Sequence, residues 1–157
     1  MKVVLSNDRG GYRLKEAAVA LLKEQGHEVI DLGIHDPEEF LSYTDAGIAV
    51  AKAIQSGEAQ RGLLFCGTGM GVSQTANKFK GVYAAVVESV FAARQCRLIN
   101  NCNVMCAGGY ILGEYMAREM VDAFINTEHT QGFEPERAAY LKGQFARLQE
   151  IEGENMK

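Results

Sequence analysis

The stretch Arg61-Gly62-Leu63-Leu64-Phe65-Cys66-Gly67-Thr68-Gly69-Met70-Gly71-Val72-Ser73 decides how the whole chain is read. Leu63 to Phe65 is an apolar run suited to a buried strand, and it delivers Cys66 at its end. Gly67, Gly69 and Gly71 then alternate with Thr68 and Met70, and a helix-like segment follows through Lys78. Glycines at this spacing let backbone amides converge, because no Cβ blocks the approach and positive φ costs little. The helix start adds unpaired N–H groups and a partial positive charge. Such a loop welcomes an anion, and a thiol within it has the surroundings of a reactive cysteine. Two familiar glycine motifs do not fit. The dinucleotide fingerprint requires glycine where Val72 stands, and the nucleotide-triphosphate loop requires lysine just before Ser73. A plain strand–turn–helix connection, with Cys66 as a small buried residue, remains the alternative.

The 157 residues are most simply one domain with a sizeable core, spanning 1–150, and the tail 151–157 is expected to fray. A net charge of −4 with scattered basic residues argues against a nucleic-acid partner. No apolar run approaches the roughly 20 residues of a membrane span. Lys2 leads straight into Val3-Val4-Leu5, too short for a signal peptide, so the cytoplasm is the expected location. Cys66, Cys96, Cys102 and Cys106 form no CxxC pair, and His27, His35 and His129 show no ligand spacing. Reduced thiols and no metal site are therefore expected, with the last three cysteines structural.

Working outward, Lys2–Ser6 reads as a first strand closed by the glycine turn at Gly10-Gly11. A helix follows from Tyr12 to Gln25, with Leu14, Ala17, Ala18, Leu21 and Leu22 at helical spacing and Gly26 as its stop. His27–Leu32 is a second strand. Thr44 or Asp45 is the expected cap of the next helix, which ends at Gly57. Beyond the glycine loop, Val82–Val87 reads as a fourth strand, Ser89 caps a helix to about Ile99, and Asn103–Ala107 is a fifth strand. Helices over Ile111–Ile125 and Glu134–Glu150 complete the chain. Alternating strands and helices predict an α/β fold, a Rossmann-like three-layer sandwich on a five-stranded parallel sheet. Ligands of such sheets bind beyond the strand carboxyl ends, at the switch point of strand order. Four polar clusters sit there: Asp8-Arg9, Cys66-Gly67-Thr68, Glu88-Ser89 and Gly108-Gly109-Tyr110. The first two are the expected site.

Together these residues resemble the family of type B ribose-5-phosphate isomerases and galactose-6-phosphate isomerase subunits. The resemblance runs from Lys2 to about Arg147. Its specific part is Cys66-Gly-Thr-Gly-Met-Gly-Val-Ser73 followed by Ala76-Asn77-Lys78. Asp8, Gly11, Glu28-Val29-Ile30-Asp31, Arg97, Asn100, Asn103-Val104 and Val121-Asp122-Ala123-Phe124 support it. The resemblance implies aldose–ketose isomerisation of a sugar phosphate without metal or organic cofactor. A base lifts a proton beside a carbonyl, and donors face the enediolate oxygen. It assigns the base to Cys66; other members carry a carboxylate where this chain has Val72. It assigns the anion hole to the amides of Gly67, Gly69, Met70 and Gly71 and the side chain of Asn100. Thr68 handles the hydroxyl proton, Asp8 holds substrate hydroxyls, and Tyr43 lines the pocket. It also implies a homodimer or homotetramer with sites at the interface, Arg137 serving the neighbouring subunit.

A structural role is open to four of these: a helix C-cap for Asn100, turn capping for Asp8, packing for Tyr43 and a solvated turn position for Arg9. The departures from the family are specific. Ile99 stands where the ring-opening histidine is expected, and Arg9 where a histidine usually follows the aspartate. Of three clamp arginines, two positions hold Tyr110 and Phe133 and only Arg137 remains, with Arg9 a replacement cation. Ribose 5-phosphate is the family default. An open-chain tetrose or tetrulose phosphate, which Ile99 suggests, and a hexose 6-phosphate are the variants. A non-catalytic sugar-phosphate-binding subunit is the alternative of another class.

Overall fold

The computed structural model describes residues 1–156. In chain order the strands are β1 (Lys2–Asn7), β2 (Glu28–Asp31), β3 (Arg61–Cys66), β4 (Ala84–Val86) and β5 (Val104–Gly108). The helices are α1 (Tyr12–Glu24), α2 (Tyr43–Gln55), α3 (Met70–Ala76), α4 (Val90–Leu98), α5 (Glu114–Ile125) and α6 (Pro135–Asn155), and a 3₁₀ turn at Arg9–Gly11 precedes α1. The strands form one parallel sheet in the order β2-β1-β3-β5-β4, as the alternation of elements predicted.

β1, β3 and β5 are buried on both faces, which is why they read as apolar runs instead of alternating ones. Val3, Leu5, Leu63, Phe65 and Met105 face Leu14, Leu22, Met120 and Phe124 of α1 and α5. Val4, Leu64, Cys66 and Cys106 face Val50 of α2 and Val72 of α3. Two helical layers thus enclose the sheet. The chain leaves β1 toward β2, then crosses to β3 on the other side, so the switch point lies between β1 and β3.

Local chemistry explains most boundaries. Gly26 (φ 76°) and Gly57 (φ 77°) end α1 and α2 in the left-handed region that glycine favours. Ser89 caps α4, accepting from the Ala92 amide at 3.1 Å. Four expectations need correction. The cap of α2 is Ser42, whose Oγ accepts from the Asp45 amide at 3.0 Å and donates to Asp45 Oδ2 at 2.6 Å; Thr44 and Asp45 are already helical. β4 is confined to Ala84–Val86 at the sheet edge. α5 begins only at Glu114, because Ile111 and Leu112 turn back to donate to the Gly108 carbonyl at 3.1 and 3.0 Å. α6 continues past Glu150 to Asn155, although none of its residues is buried. Glu152 holds this end in place, accepting from the Gly81 amide at 2.8 Å and the Tyr83 hydroxyl at 3.0 Å.

Candidate active site

The carboxyl ends of β1, β3 and β5 converge on one loop system. The Asp8 amide donates to the Phe65 carbonyl at 3.1 Å, the Gly109 amide to the Cys66 carbonyl at 2.8 Å, and the Tyr110 amide to the Gly67 carbonyl at 2.9 Å. Backbones approach so closely here that side chains would collide. A Cβ on Gly10 would lie 2.8 Å from the Gly67 nitrogen, and one on Gly109 would lie 2.0 Å from the Gly10 carbonyl oxygen. The paired glycines after β1 and β5 therefore exist to let three loops meet at the switch point.

Cys66 forms the floor of the glycine loop. Its side chain is 4% exposed, and its sulfur accepts a hydrogen bond from the Gly69 amide at 3.0 Å. Gly69 reaches that position with φ 78° and is backed by Ala107 of β5. Thr68 is exposed, with Oγ1 accepting from the Met70 amide at 3.4 Å. Met70 opens α3, so the first amides of that helix point into the loop. Two tyrosines flank it: a Cβ on Gly71 would strike the Tyr43 ring at 2.6 Å, and one on Gly67 the Tyr110 ring at 2.4 Å.

Asp8 and Arg9 border the same loop. Asp8 Oδ1 accepts from the Gly11 amide at 3.2 Å and so caps the 3₁₀ turn, the structural role the sequence left open. Burial raises the Asp8 pKa above its ordinary value, opposed by the amides of Gly11 and Gly10. Arg9 is exposed but tethered, donating to the Glu38 carbonyl at 3.0 Å. The segment receiving it is pinned from within. Asn7 Oδ1 accepts from the Ile34 amide at 3.2 Å, and Asp31 Oδ1 from the Gly33 amide at 3.0 Å. Asp31 in turn holds the fully buried Lys15 ammonium at 2.9 Å. Burial alone would lower the Lys15 pKa, but the carboxylates of Glu16 and Asp31 hold it above the ordinary lysine value.

Asp8, Arg9, Tyr43 and Cys66 through Gly71 are thus assembled within one chain. Asn100 and Arg137 are not. Asn100 lies just past α4, which runs back from the strand carboxyl ends, and so falls at the amino ends of the strands. There the Leu98 carbonyl accepts from the Thr130 amide at 2.9 Å, and α6, which carries Arg137, begins shortly after. Arg97, only 2% exposed, fixes this corner by donating to the Cys102 carbonyl at 2.7 Å and to Asn101 Oδ1 at 2.9 Å. Asn7 went unread in the sequence because it looks like an ordinary strand end. The Gly108-Gly109-Tyr110 cluster, placed at a strand carboxyl end but left out of the expected site, borders the glycine loop.

This arrangement coincides with the comparisons. The profile described as Ribose/Galactose Isomerase matches residues 3–141. The chain belongs to the ribose/galactose isomerase family. Its relatives within this family include the 4-deoxy-4-sulfo-D-erythrose isomerase of Clostridium sp. (strain MSTE9), 43% identical over 97% of this chain and 96% of the relative. The D-erythrulose-4-phosphate isomerase 2 of Mycolicibacterium smegmatis is 34% identical over 90% of this chain and 92% of the relative. Among solved structures, ribose-5-phosphate isomerase B of Clostridium thermocellum superposes with a TM-score of 0.88 at 37% identity, covering 98% of this chain and 99% of that one. The isomerase fold and the expected reaction class stand together: the chain is an aldose–ketose isomerase. Among the described residues, no helix is long and apolar enough to cross a membrane.

Proposed function

We propose that this ribose/galactose-family isomerase acts on a four-carbon, open-chain sugar bearing a terminal anion, with Cys66 as its base. In the aldose-to-ketose direction, Cys66 takes the C2 hydrogen as a proton. The former carbonyl oxygen at C1 becomes the enediolate oxygen, facing the amides of Gly67, Gly69, Met70 and Gly71. The proton returns to C1 while Thr68 relays the O2 hydroxyl proton to O1, leaving a ketone at C2 and a hydroxyl at C1. No atom is gained or lost. Asp8 accepts from substrate hydroxyls, Tyr43 walls the pocket, and Arg9 meets the anionic terminus with its fork of donors.

The single observation carrying this reading is the Cys66 sulfur at the end of β3, held 3.0 Å from the Gly69 amide within the loop at the switch point. Two facts support a short substrate. Ile99 offers no proton for ring opening, and an aldotetrose whose C4 carries phosphate or sulfonate has no hydroxyl left to close a furanose. Two of the relatives are named for four-carbon sugars of this kind. Asn100 and Arg137, remote from Cys66 within one chain, reach a site only when a second copy of this chain supplies them.

Solvent deuterium exchange into four-, five- and six-carbon sugars bearing phosphate or sulfonate tests the proposal. Exchange is expected at C1 of the four-carbon ketose, with at least a 10²-fold loss in Cys66→Ala, since general bases contribute about that much or more. A Cys66→Ala protein with the full rate overturns the base assignment, and exchange confined to six-carbon sugars overturns the substrate.

A further inference from the structure

We propose that Cys96 and Cys102 form a reversible disulfide when the protein meets a peroxide, and that the bridge displaces Asn100 from its working position. The second half rests on the isomerase reading above; the bridge itself does not. The two cysteines stand at the carboxyl end of α4, six positions apart. Between them Asn101 takes the left-handed conformation, at φ 54°, and its amide donates to the Arg97 carbonyl at 3.1 Å. That reversal ends the helix and lays Cys102 back on its last turn, where an apolar contact ordinarily seals the helix end. Here the sealing pair is two thiols.

The Cys102 amide donates to the Cys96 carbonyl at 2.9 Å. One such bond leaves the two Cα atoms at most about 6.8 Å apart, and disulfides span Cα separations of about 4.4–6.8 Å. The side chains meet as well. Cys96 is pushed up by its hydrogen bond to the Cys102 thiol and by burial; Cys102 is held down by the same bond, against burial and with help from the Arg97 guanidinium. Cys102 is therefore the thiol that ionises first and attacks. Cys106 is fully buried and pushed up by that burial, which takes it out of the exchange. Cys102 also has a route to solvent. With Asn77, Val82, Asn100, Leu148 and Ile151 it lines a cleft of about 390 Å³ beside the last turns of α6. A peroxide, little larger than water, enters such a cleft.

The chemistry closes in two steps. The Cys102 thiolate attacks one peroxide oxygen, the O–O bond breaks, and the other oxygen leaves as hydroxide and takes up a proton. Cys96 then loses its proton, and its sulfur displaces hydroxide from the Cys102 sulfenic acid, forming the S–S bond and a second water. Two thiols are oxidised and one peroxide is reduced to two waters; a dithiol reductant reverses the bridge. Closure draws two non-bonded sulfurs to about 2.05 Å. Cys96 is fixed within α4, its thiol donating to the Ala93 carbonyl at 3.2 Å, so the movement falls on Cys102 and the turn before it. Asn100 lies in that turn.

The experiment treats the intact enzyme with a few equivalents of hydrogen peroxide, alkylates the remaining thiols, and maps peptides by mass with and without reduction. A Cys96–Cys102 cross-link is expected, lighter than the dithiol by two hydrogens and absent after dithiothreitol. The kcat for a 2-ketotetrose 4-phosphate is expected to fall about 10²–10³-fold on oxidation, the loss typical of one anion-hole donor, and to return with dithiothreitol. Untreated Cys102→Ala is expected to match the wild-type rate. Treated in parallel, it loses only what oxidation of Cys66 removes, and thermal unfolding verifies that it is folded. Absence of the Cys96–Cys102 peptide, or a bridge to Cys106 instead, overturns the proposal. A bridge that forms with kcat unchanged overturns its link to Asn100. Absence of turnover by unoxidised wild type with every sugar phosphate sinks the isomerase reading, while the mass of the bridged peptide still decides the disulfide.

Discussion

Replacing Gly69 by alanine tests whether the shape of the loop, and not merely its sulfur, makes the site. Gly69 sits at φ 78°, a conformation that costs a residue with a Cβ about 1–2 kcal/mol. The new Cβ would also lie 3.0 Å from the nitrogen and carbonyl carbon of Ala107 and 3.1 Å from its Cα. Ala107 is fully buried in β5, so it yields only with the sheet, and such overpacking adds about 1–2 kcal/mol. The sum, about 2–4 kcal/mol, is below the 5–15 kcal/mol by which domains are commonly stable, so the variant folds. At about 2–4 °C per kcal/mol for a chain of this size, the thermal midpoint falls by about 5–15 °C. Activity suffers more. The Gly69 amide, 3.0 Å from the Cys66 sulfur, is displaced together with the start of α3, and losing one such donor costs about 10²–10³ in kcat. Gly26→Ala is the control, with φ 76° but nothing within 4 Å of the added Cβ, so it loses only the backbone contribution and keeps its activity. Calorimetry and initial rates read both. A Gly69→Ala protein as stable as Gly26→Ala, with kcat/KM within a few-fold of wild type, refutes the argument.

Asp8→Asn keeps the cap on the 3₁₀ turn, since asparagine also accepts from the Gly11 amide, but removes a carboxylate that burial disfavours. A group whose folded pKa lies above its unfolded value weakens the fold as pH rises through that window. Asp8→Asn is therefore expected to be at least as stable as wild type at pH 7 in urea titrations, with its advantage vanishing as pH falls toward the unfolded value near 3.8, while KM rises. A stability advantage that grows in acid contradicts the sign. Mixing inactive Cys66→Ala and Asn100→Ala chains after partial unfolding tests the shared site. If each site draws Cys66 and Asn100 from different copies, random pairing leaves one site in four intact and restores about a quarter of wild-type activity. Recovery of nothing, with mixed dimers verified by mass, refutes the sharing.

What the sequence disclosed was what local pattern can encode. The β3 run, the alternating glycines and the Ser89 cap depend on neighbours within a few residues, and all three are found where the spacing placed them. Lys15 was not legible as a buried residue, because lysine is ordinarily exposed and Asp31, the carboxylate that pairs with this α1 residue, comes from β2. The extra turn of α6 depends on Glu152 meeting Gly81 and Tyr83, contacts between distant parts of the chain that no periodicity announces. The Tyr110 ring on Gly67 is hidden for the same reason: its partner lies on a different strand end.

The separation of Asn100 from Cys66 follows from topology alone. In a parallel sheet every helix returns the chain to the strand amino ends, so a residue just past α4 cannot share an end with one just past β3. α6 spans 21 residues yet buries none of them on its own chain, leaving Tyr140, Leu148 and Ile151 exposed. Helices in proteins draw most of their stability from packing an apolar face, and here the packing on the chain itself amounts to little more than Phe145 against Tyr83 and His129. A second copy seated on α6 would cover those apolar side chains and would bring a Cys66 loop within reach of Asn100 and Arg137. One such contact between copies would account for both the uncovered helix and the proposed sharing of the site.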